Sequence, residues 1–406
     1  MPKPIAIIGT LDTKGIEVGY LRDLIQARGL ETWVIDPGVL DQPAIKADFS
    51  REEVARAGGS ELADLIAAGD KGRAIQIMID GTRAIVVRLH AEGKLGGVLS
   101  VGGGQGTAIG TAAMKALPIG VPKVMVSTMA SGRNIFEPYV GTSDVTLMHS
   151  VADILGVNVV TRKIFANAAA AVGAMAEASE TVEESDRVVL GVSMLGLTTP
   201  CVLRAKELLE QQGFELVGFH ANGTGGRSME RLVDEGIIQG VLDVSTQELT
   251  GHVCRGLFDA GPDRMKAAGR KGIPQVVAPG GTDYIVLGPL SSLTVEQRSR
   301  PLIIHNSNIT LIRTAKGEME ELGRLMADRL NDAHGPAAVL IPMGGFSFSD
   351  RPGHAFYDPK ADAALVDALE AELSLRVDLL KIDAHVNEPA FAEAVVAKMQ
   401  ELMGRR

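Results

Sequence analysis

The segment Gly97–Leu117, GVLSVGGGQGTAIGTAAMKAL, decides how the first half of the chain folds. Val98–Val101 is a short apolar run that predicts a buried strand, and four glycines follow within residues 102–106. From Thr107 onward, Ala, Ile and Met recur at helical spacing. A strand, a glycine turn and a helix N-terminus together suit an anion, because bare backbone N–H groups and the helix dipole both favour negative charge.

The residues that follow these glycines indicate which type of anion the segment suits. No Lys-Ser or Lys-Thr pair follows them, so the segment is not a Walker A loop. Gly104, Gly106 and Gly110 form a loose dinucleotide-binding pattern, but no Asp or Glu lies between Thr107 and Phe136 to bind a ribose. The pattern favours a phosphate-bearing ligand over NAD. A tight strand–helix turn without a ligand stays open as the alternative.

Composition and charge argue against several classes of protein. Hydrophobic residues make up 46% of the 406 residues and aromatic residues 4%, with 47 glycines, which is typical of an α/β protein with close helix–sheet packing. A net charge of −10 without a long basic run argues against nucleic acid as a partner. No stretch approaches the roughly 20 apolar residues that cross a bilayer, and two cysteines fit a reducing compartment. We therefore expect a cytoplasmic protein with neither membrane nor nucleic acid as a partner.

A second candidate phosphate-binding segment lies near the start of the chain. Gly9–Gly15, GTLDTKG, follows an apolar strand and precedes a helix predicted to begin at Ile16. It brings hydroxyls and one ammonium group to the carboxyl end of a strand, where parallel sheets bind ligands, and Asp12 is suited to hold Mg²⁺ through water. The alternative is that Asp12 or Thr13 caps the helix while Lys14 is solvated.

A third segment, Thr128–Arg133, follows the strand predicted over Val121–Ser127. Its hydroxyls and the forked guanidinium of Arg133 suit a phosphate, with a solvated surface position for Arg133 as the alternative. Together the three segments predict a nucleotide site with Asp12 as the magnesium ligand. The predicted nucleotide-binding residues are Thr10, Asp12, Thr13, Lys14, Gly102, Gly103, Gly104, Gly106, Thr107, Ser127, Thr128, Ser131, Gly132 and Arg133.

The second half of the chain repeats the design of the first. The acidic stretch Ser179–Asp186 predicts a linker, which gives a nucleotide-binding domain over residues 1–182 and a second α/β domain over residues 183–406. After the linker comes the same series of strand, Gly/Thr loop, helix, glycine and strand. Alternating strands and helices predict an α/β fold with two Rossmann-like domains and parallel, doubly wound sheets, in which Leu302–Ile304 is one of the parallel strands.

Polar residues follow six of the strands predicted in the second half. In a parallel sheet those strand ends converge on one crevice, where His, Asp and Ser together could provide general acid–base chemistry. No close metal-ligand spacing such as HExxH occurs, and for each His alone a hydrogen-bonded position in a loop is the alternative. The predicted catalytic residues are His220, Asp243, Asp283, His305, Ser347 and His385.

Seven motifs carry a resemblance that spans nearly the whole chain: GTLDTKG, LPIGVPKVMVST, YVGTSDVT, LTTPCVLRA, GTGGRSME, GIPQVV and FYDPKADAAL. They resemble the Tm-one-like ATP-binding family, a bacterial protein family related to the N-terminal domain of the tomato mosaic virus resistance protein. The resemblance implies two Rossmann-like domains, ATP binding with Mg²⁺, and a homodimer. The segments Gly280–Tyr284 and Ser307–Asn308 depart from the family pattern and leave the identity of a second-domain ligand open.

The sequence leaves three functions open. The first is an ATP-binding protein that acts as a nucleotide-dependent enzyme on a small metabolite in the cleft between its domains. The second is a nucleotide-regulated binding module without catalysis. The third is an NAD-dependent oxidoreductase, which rests on the loose glycine pattern alone.

Overall fold

The structure is a computed structural model that describes residues 3–131, 136–179 and 186–404. The chain divides into two compact units, Met1–Glu184 and Ser185–Arg406, which we name unit 1 and unit 2. Each unit is a parallel sheet covered by helices, so the predicted α/β class with two Rossmann-like domains is confirmed.

Unit 1 is built on a five-stranded sheet. Its strands are β1 (Ile5–Ile8), β2 (Thr32–Ile35), β3 (Gly97–Gly102), β4 (Lys123–Ser127) and β5 (Thr146–His149). They stand in the order β2-β1-β3-β4-β5, and every neighbouring pair is parallel. The sequence patterns did not predict β5. It lies at the edge of the sheet, where partial exposure weakens the apolar signal of a buried strand.

Helices cover both faces of this sheet, as a doubly wound fold requires. They are α1 (Leu11–Gln26), α2 (Arg51–Ala57), α3 (Leu62–Ala68), α4 (Lys71–Ala91), α5 (Gly104–Lys115), α6 (Phe136–Tyr139) and α7 (Val159–Ser179). Helices α1 and α7 pack on one face and α2 to α5 on the other, which gives two apolar layers around the strands. Local signals set several of these ends: the Asp70 side chain accepts the Arg73 N–H at 3.0 Å and caps the start of α4.

The described residues of unit 2, 186–404, form nine strands in two sheets. They are β6 (Val189–Met194), β7 (Glu215–His220), β8 (Gly240–Ser245), β9 (Gln275–Gly280), β10 (Tyr284–Leu287), β11 (Leu302–Asn306), β12 (Ile309–Arg313), β13 (Ala337–Pro342) and β14 (Asp378–Ile382). Six of them form a parallel sheet in the order β14-β13-β9-β8-β6-β7. The other three form an antiparallel sheet in the order β10-β12-β11.

The prediction that Leu302–Ile304 is a parallel strand is wrong. These residues belong to β11, which pairs antiparallel with β12 across a short turn. In that turn the Asn306 side chain accepts the Asn308 N–H at 2.8 Å. Two apolar runs separated by Asn and Ser are the local signal of a hairpin, and this signal was present in the sequence.

The helices of unit 2 follow its strands in the expected alternation. They are α8 (Thr199–Glu210), α9 (Thr224–Asp234), α10 (Gln247–Cys254), α11 (Ala267–Lys271), α12 (Val295–Ser299), α13 (Lys316–Asn331), α14 (Pro359–Glu372) and α15 (Pro389–Gly404). Helices α8 and α15 pack on one face of the parallel sheet, and α10, α13 and α14 pack on the other. No helix among the residues that the structure describes is long and apolar enough to cross a membrane.

Candidate functional site

The sheet of unit 1 has its topological switch point at β1. From β1 the chain crosses to β2 on one side and later returns to β3 on the other side. The segments that follow β1 and β3 therefore diverge at the carboxyl edge and leave a crevice between them. Proteins with open α/β sheets bind their ligands at this position.

A cavity of about 310 Å³ lies at this switch point. It is lined by Thr10, Asp12, Thr13 and Lys14 after β1 and by Gly102–Gly106 after β3. The structure thus brings together two of the three segments that the sequence predicts as phosphate-binding. In the third segment, Thr128 is half-buried and Ser131 is exposed, and neither belongs to the cavity lining. Gly132 and Arg133 lie outside the described residues.

The glycine segment is more helical than the sequence predicts. Helix α5 begins at Gly104 rather than at Thr107, with Gly103 as the N-cap residue. The Thr107 N–H donates to the Gly103 carbonyl at 2.8 Å, and no side chain of the described residues caps this helix end. The N–H groups of residues 104–106 therefore precede the first intrahelical hydrogen bond, and the positive end of the helix dipole faces the cavity.

The glycines of this segment have two different roles. A Cβ on Gly102 would lie 2.7 Å from the Gly106 Cα, so Gly102 is needed for the close approach of strand and helix. A Cβ on Gly110 would lie 2.2 Å from the Ser100 Oγ, which makes Gly110 a packing residue too. A Cβ on Gly104 would meet no atom within 4 Å, so Gly104 leaves open space that a side chain would fill.

Thr107 and Ser127 support the segment from beneath instead of facing a ligand. Their hydroxyl oxygens are 2.6 Å apart, and both side chains are fully buried. The Thr107 hydroxyl also donates to the Gly103 carbonyl at 2.7 Å, and the Ser127 hydroxyl accepts the Met129 N–H at 2.9 Å. Internal hydrogen bonds therefore already use the two hydroxyls that the sequence predicts at the nucleotide.

The first turn of α1 forms the opposite wall of the cavity. The sequence predicts a loop up to Gly15, but the helix begins at Leu11, with a kink at Lys14. The hydroxyls of Thr10 and Thr13 are 2.8 Å apart, and the Lys14 ammonium donates to the Ile154 carbonyl. An ammonium has three donors, so Lys14 keeps the capacity to bind a ligand in the cavity that it lines.

Two carboxylates stand at the start of α1 with different surroundings. Asp36 accepts the N–H groups of Leu11 at 3.0 Å and Gly38 at 2.8 Å, and its burial raises its pKa. Asp36 therefore caps α1 and is not available to a ribose. Asp12 accepts the Leu40 N–H with Oδ2 at 2.8 Å, while its buried Oδ1 has no hydrogen-bond partner within the described residues.

Unit 2 separates the six residues that the sequence predicts at one crevice. Asp243 is part of a buried ion-pair network. Its Oδ2 and Oδ1 accept from the Arg264 guanidinium at 2.5 and 2.6 Å, and Ser193 donates to Oδ1 at 2.6 Å. Arg264 also donates to Glu248 at 2.7 Å. Asp243, which the sequence predicts to be catalytic, therefore lies in the core with both oxygens hydrogen-bonded, and 1% of the residue is exposed.

Asp283, Ser347 and His385 meet beside the segment after β13, but they do not form a catalytic triad. The Ser347 hydroxyl donates to Asp283 Oδ2 at 2.6 Å, and the His385 Nε2 lies 2.9 Å from the Ser347 backbone carbonyl. The His385 Nδ1 accepts the Asn387 N–H at 3.1 Å, which assigns the proton to Nε2. A serine nucleophile needs its hydroxyl on the imidazole, so Ser347 is not activated here, and it is fully buried.

A buried carboxyl cluster surrounds Asp283. Desolvation, with Asp350 as a second cause, raises the pKa of Asp283 to about 7. Desolvation also raises the pKa of Asp362 to about 8, although the Arg313 guanidinium, which donates to Asp362, opposes the shift. One guanidinium beside three carboxyls cannot neutralise them all, so this cluster holds protons near neutral pH. Asp362 also lines a cavity of about 200 Å³ beneath the segment after β13.

His220 and His305 meet elsewhere, in a separate cavity of about 300 Å³. His220 ends β7 and His305 lies within β11, so the antiparallel sheet brings them together. Among residues 3–131, 136–179 and 186–404, no three His, Cys, Asp or Glu side chains are grouped so that they could hold a metal ion. No sequence pattern predicted the partners that decide these clusters, namely Arg264, Arg313, Asp350 and Asp362.

The two parallel sheets and the crevice at β1 define a two-domain, Rossmann-like α/β protein. The chain belongs to the uncharacterised protein family UPF0261, whose N-terminal domain matches residues 3–181 and whose C-terminal domain matches residues 187–403. This finding confirms the resemblance seen in the sequence motifs.

Two relatives and one solved structure illustrate the similarity. A UPF0261 protein of Clostridium tetani is 42% identical over 404 residues, covering 99% of this chain and 100% of that protein. The tomato ToMV resistance protein Tm-1(GCR237) is 38% identical over 339 residues, covering 82% of this chain and 45% of that protein. The structure of UDP-N-acetylglucosamine 2-epimerase from Rickettsia bellii covers 100% of this chain and 96% of its own at 11% identity and a TM-score of 0.24. That TM-score is too low to transfer any property of the epimerase.

Proposed function

We propose that unit 1 binds ATP with Mg²⁺ and that the ATP phosphates lie in the cavity at the β1–β3 switch point. The observation that carries this proposal is the lining of the cavity: an uncapped, glycine-rich helix end on one side, and two hydroxyls, an ammonium and a carboxylate on the other. Backbone N–H groups and a helix dipole favour phosphate, and the ammonium of Lys14 adds a positive charge. The family resemblance of the sequence motifs points to the same ligand.

Asp12 fits the magnesium ion in this proposal. Mg²⁺ is commonly held by one or two carboxylates together with substrate phosphates and water, so a cluster of three protein ligands is not needed. The buried Oδ1 of Asp12 lacks a hydrogen-bond partner among the described residues, which leaves it available to a metal-bound water. When bound, the ion neutralises phosphate charge, while Asp12 itself positions the water that faces it.

The NAD-dependent alternative has no observation in its favour. The carboxylate at the end of β2, where a ribose would be held, is Asp36, and it caps α1 instead.

The proposal is tested by isothermal titration of the full chain with Mg-ATP, Mg-ADP, AMP and NAD. We expect affinity to fall as phosphates are removed and NAD not to bind. Gly104→Val should abolish ATP binding, because its side chain fills the cavity while meeting no neighbour. Gly317→Val is the matched control, since Gly317 also stands in the first turn of a helix with nothing within 4 Å of its Cβ.

Two further variants assign the roles of the polar residues. Lys14→Met should weaken ATP binding by about 10- to 100-fold, the range expected for a lost charge-assisted hydrogen bond. Asp12→Asn should reduce the gain in ATP affinity that Mg²⁺ provides. Absence of heat with ATP, or equal affinity in Gly104→Val and Gly317→Val, would remove this cavity as the nucleotide site.

A second candidate function is nucleotide-regulated binding without turnover. It is favoured by the burial of Asp243, Asp283 and Ser347, three of the predicted catalytic residues. Phosphate release from ATP in the presence of candidate metabolites distinguishes the two functions. Turnover that is lost in His305→Ala and His385→Ala would establish an enzyme. The homodimer that the resemblance implies is a proposal as well, and light scattering with and without ATP measures it.

A further inference from the structure

The cavity that contains His220 and His305 belongs to unit 2 and plays no part in the proposed nucleotide site. It opens beside the turn that follows β6, and β6 is the switch point of this sheet, with β7 on one side and β8 on the other. The antiparallel sheet of β10, β11 and β12 supplies another wall. Its position is therefore a second ligand-binding position of the fold, at the carboxyl edge of a parallel sheet.

Most of the cavity lining is hydrocarbon. The apolar lining residues are Leu195, Leu197, Phe258, Val286, Ile309 and Leu311. Leu197, Phe258 and Ile309 are only half-buried, so their apolar surface faces the cavity and remains exposed to water. Burying this surface under an apolar ligand is favourable, and such a lining is typical of small-molecule sites.

The polar groups of the cavity are mainly hydrogen-bond donors. His220 and His305 are both exposed, and an imidazole offers an N–H in either protonation state. Gly196 begins a helical turn that continues into the 12-residue helix α8, so N–H groups at a helix start also lie in the lining. Among the described residues, no Asp, Glu, Lys or Arg belongs to this lining. The lining therefore contains no carboxylate that would repel an anion, and the two imidazoles and the backbone N–H groups have no ammonium or guanidinium beside them in it.

The volume limits the size of the ligand. A cavity of about 300 Å³ has room for about ten non-hydrogen atoms when each takes roughly the 30 Å³ of a liquid water molecule. A single metal ion or phosphate would leave the apolar walls unused.

We propose that unit 2 binds a small organic acid in this cavity, with an aliphatic or aromatic body of about this size and one carboxylate. The body packs on the apolar walls, and the carboxylate accepts hydrogen bonds from His220 and His305. The inference does not depend on nucleotide binding in unit 1.

The test uses full-chain protein and three probes, of which two, phenylacetate and phenylacetamide, have matched shapes. Phenylacetate and octanoate both have the expected size, and phenylacetamide is a neutral copy of phenylacetate. Isothermal titration should show binding of both acids at millimolar concentration or below. Phenylacetate should bind about tenfold or more tightly than phenylacetamide, because its hydrogen bonds are charge-assisted.

Three variants locate the binding. Gly196→Leu should abolish it, since Gly196 lines the cavity and a Cβ there meets no atom within 4 Å. Gly317→Leu is the control, with the same open surroundings and a place outside the lining. A double variant, His220→Leu with His305→Leu, should bind phenylacetate and phenylacetamide equally, because it keeps the apolar walls and removes both donors.

Each outcome decides the inference. Binding that is lost in Gly196→Leu but kept in Gly317→Leu, with unchanged melting temperatures, supports it. If Gly196→Leu unfolds, the double histidine variant still tests the carboxylate contact. Equal affinity for phenylacetate and phenylacetamide in the native chain overturns the assignment of an acid, and absence of binding by either acid overturns the site. Gly104→Val should bind phenylacetate normally, so failure of the nucleotide proposal is distinguishable from failure of this one.

Discussion

Removal of the Arg264 side chain is expected to destabilise unit 2 strongly. The guanidinium is fully buried and donates to Asp243 at 2.5 and 2.6 Å, to Glu248 at 2.7 Å and to Glu230 at 3.3 Å. In Arg264→Met the aliphatic part of the side chain is largely replaced, but three carboxylates lose their cation. Breaking a buried ion pair on one side costs about 3–5 kcal/mol, because the remaining charge stays desolvated.

The hydrogen bonds that the carboxylates keep explain why the free energy of unfolding should fall by no more than about 3–5 kcal/mol. Glu248 keeps the N–H groups of Gly223 and Gly226, and Asp243 keeps the Ser193 hydroxyl, so neither carboxylate loses every donor. For a domain of 150–250 residues, about 3–5 kcal/mol corresponds to a melting temperature lower by roughly 6–20 °C.

The matched control is Arg270→Met, in the same region of unit 2. Arg270 donates to Asp234 at 2.7 and 2.8 Å, but both side chains are about half exposed. An exposed pair of this kind contributes about 0–1 kcal/mol, so the control should melt within a few degrees of the native chain. The contrast sets a buried guanidinium with three carboxylate partners against a half-exposed guanidinium with one.

The assay separates the two units by their probes. Trp33 is the chain's single tryptophan and lies in β2 of unit 1, so its fluorescence follows unit 1, while circular dichroism follows helices in both units. We expect Arg264→Met to shift a circular-dichroism transition without changing the Trp33 transition. The loss of melting temperature should also be smaller at pH 5 than at pH 8, because burial raises the pKa of Glu230 and Arg264→Met removes the charge that opposes this shift. A loss of melting temperature in Arg264→Met no larger than that in Arg270→Met would refute this prediction.

Three further outcomes are expected. Burial raises the folded-state pKa of Asp283 from 3.8 to about 7. The proton on Asp283 therefore stabilises the fold fully below about pH 4, and this stability is lost as the pH rises through 7. The melting temperature of Asp283→Asn should accordingly vary less between pH 5 and 8 than that of the native chain. Gly102→Ala should cost about 1–3 kcal/mol in urea unfolding, since its Cβ would lie 2.7 Å from a backbone atom, whereas Gly104→Ala should change stability by less than about 1 kcal/mol. Burial raises the pKa of both cysteine thiols, Cys201 and Cys254, to about 12. Thiol reagents at pH 7 should therefore label the chain only after urea is added. Rapid labelling of the native chain would contradict this prediction.

Much of the parallel architecture could be predicted from the sequence. Strands such as β1 and β3 are short apolar runs that end in glycine, and the Asp70 cap marks the start of α4. These signals act between residues close in the chain, so they can be read without knowing the tertiary neighbours. The same holds for the pairing of the β1 and β3 segments at one edge, which follows from the general rule for parallel sheets.

The sequence by itself determined the two α/β units and the glycine-rich start of α5 at a strand end. The tertiary structure alone decided which polar groups face a cavity and which are already paired. Asp243 lies near the end of β8 and His220 ends β7, yet Asp243 meets Arg264 inside the core and His220 stays exposed in the cavity that His305 also lines. No local pattern encodes that difference, because a carboxylate becomes structural only when a distant chain segment brings a cation to it. The three-stranded sheet that unites His220 with His305 depends in the same way on strands that pair after the chain has folded back.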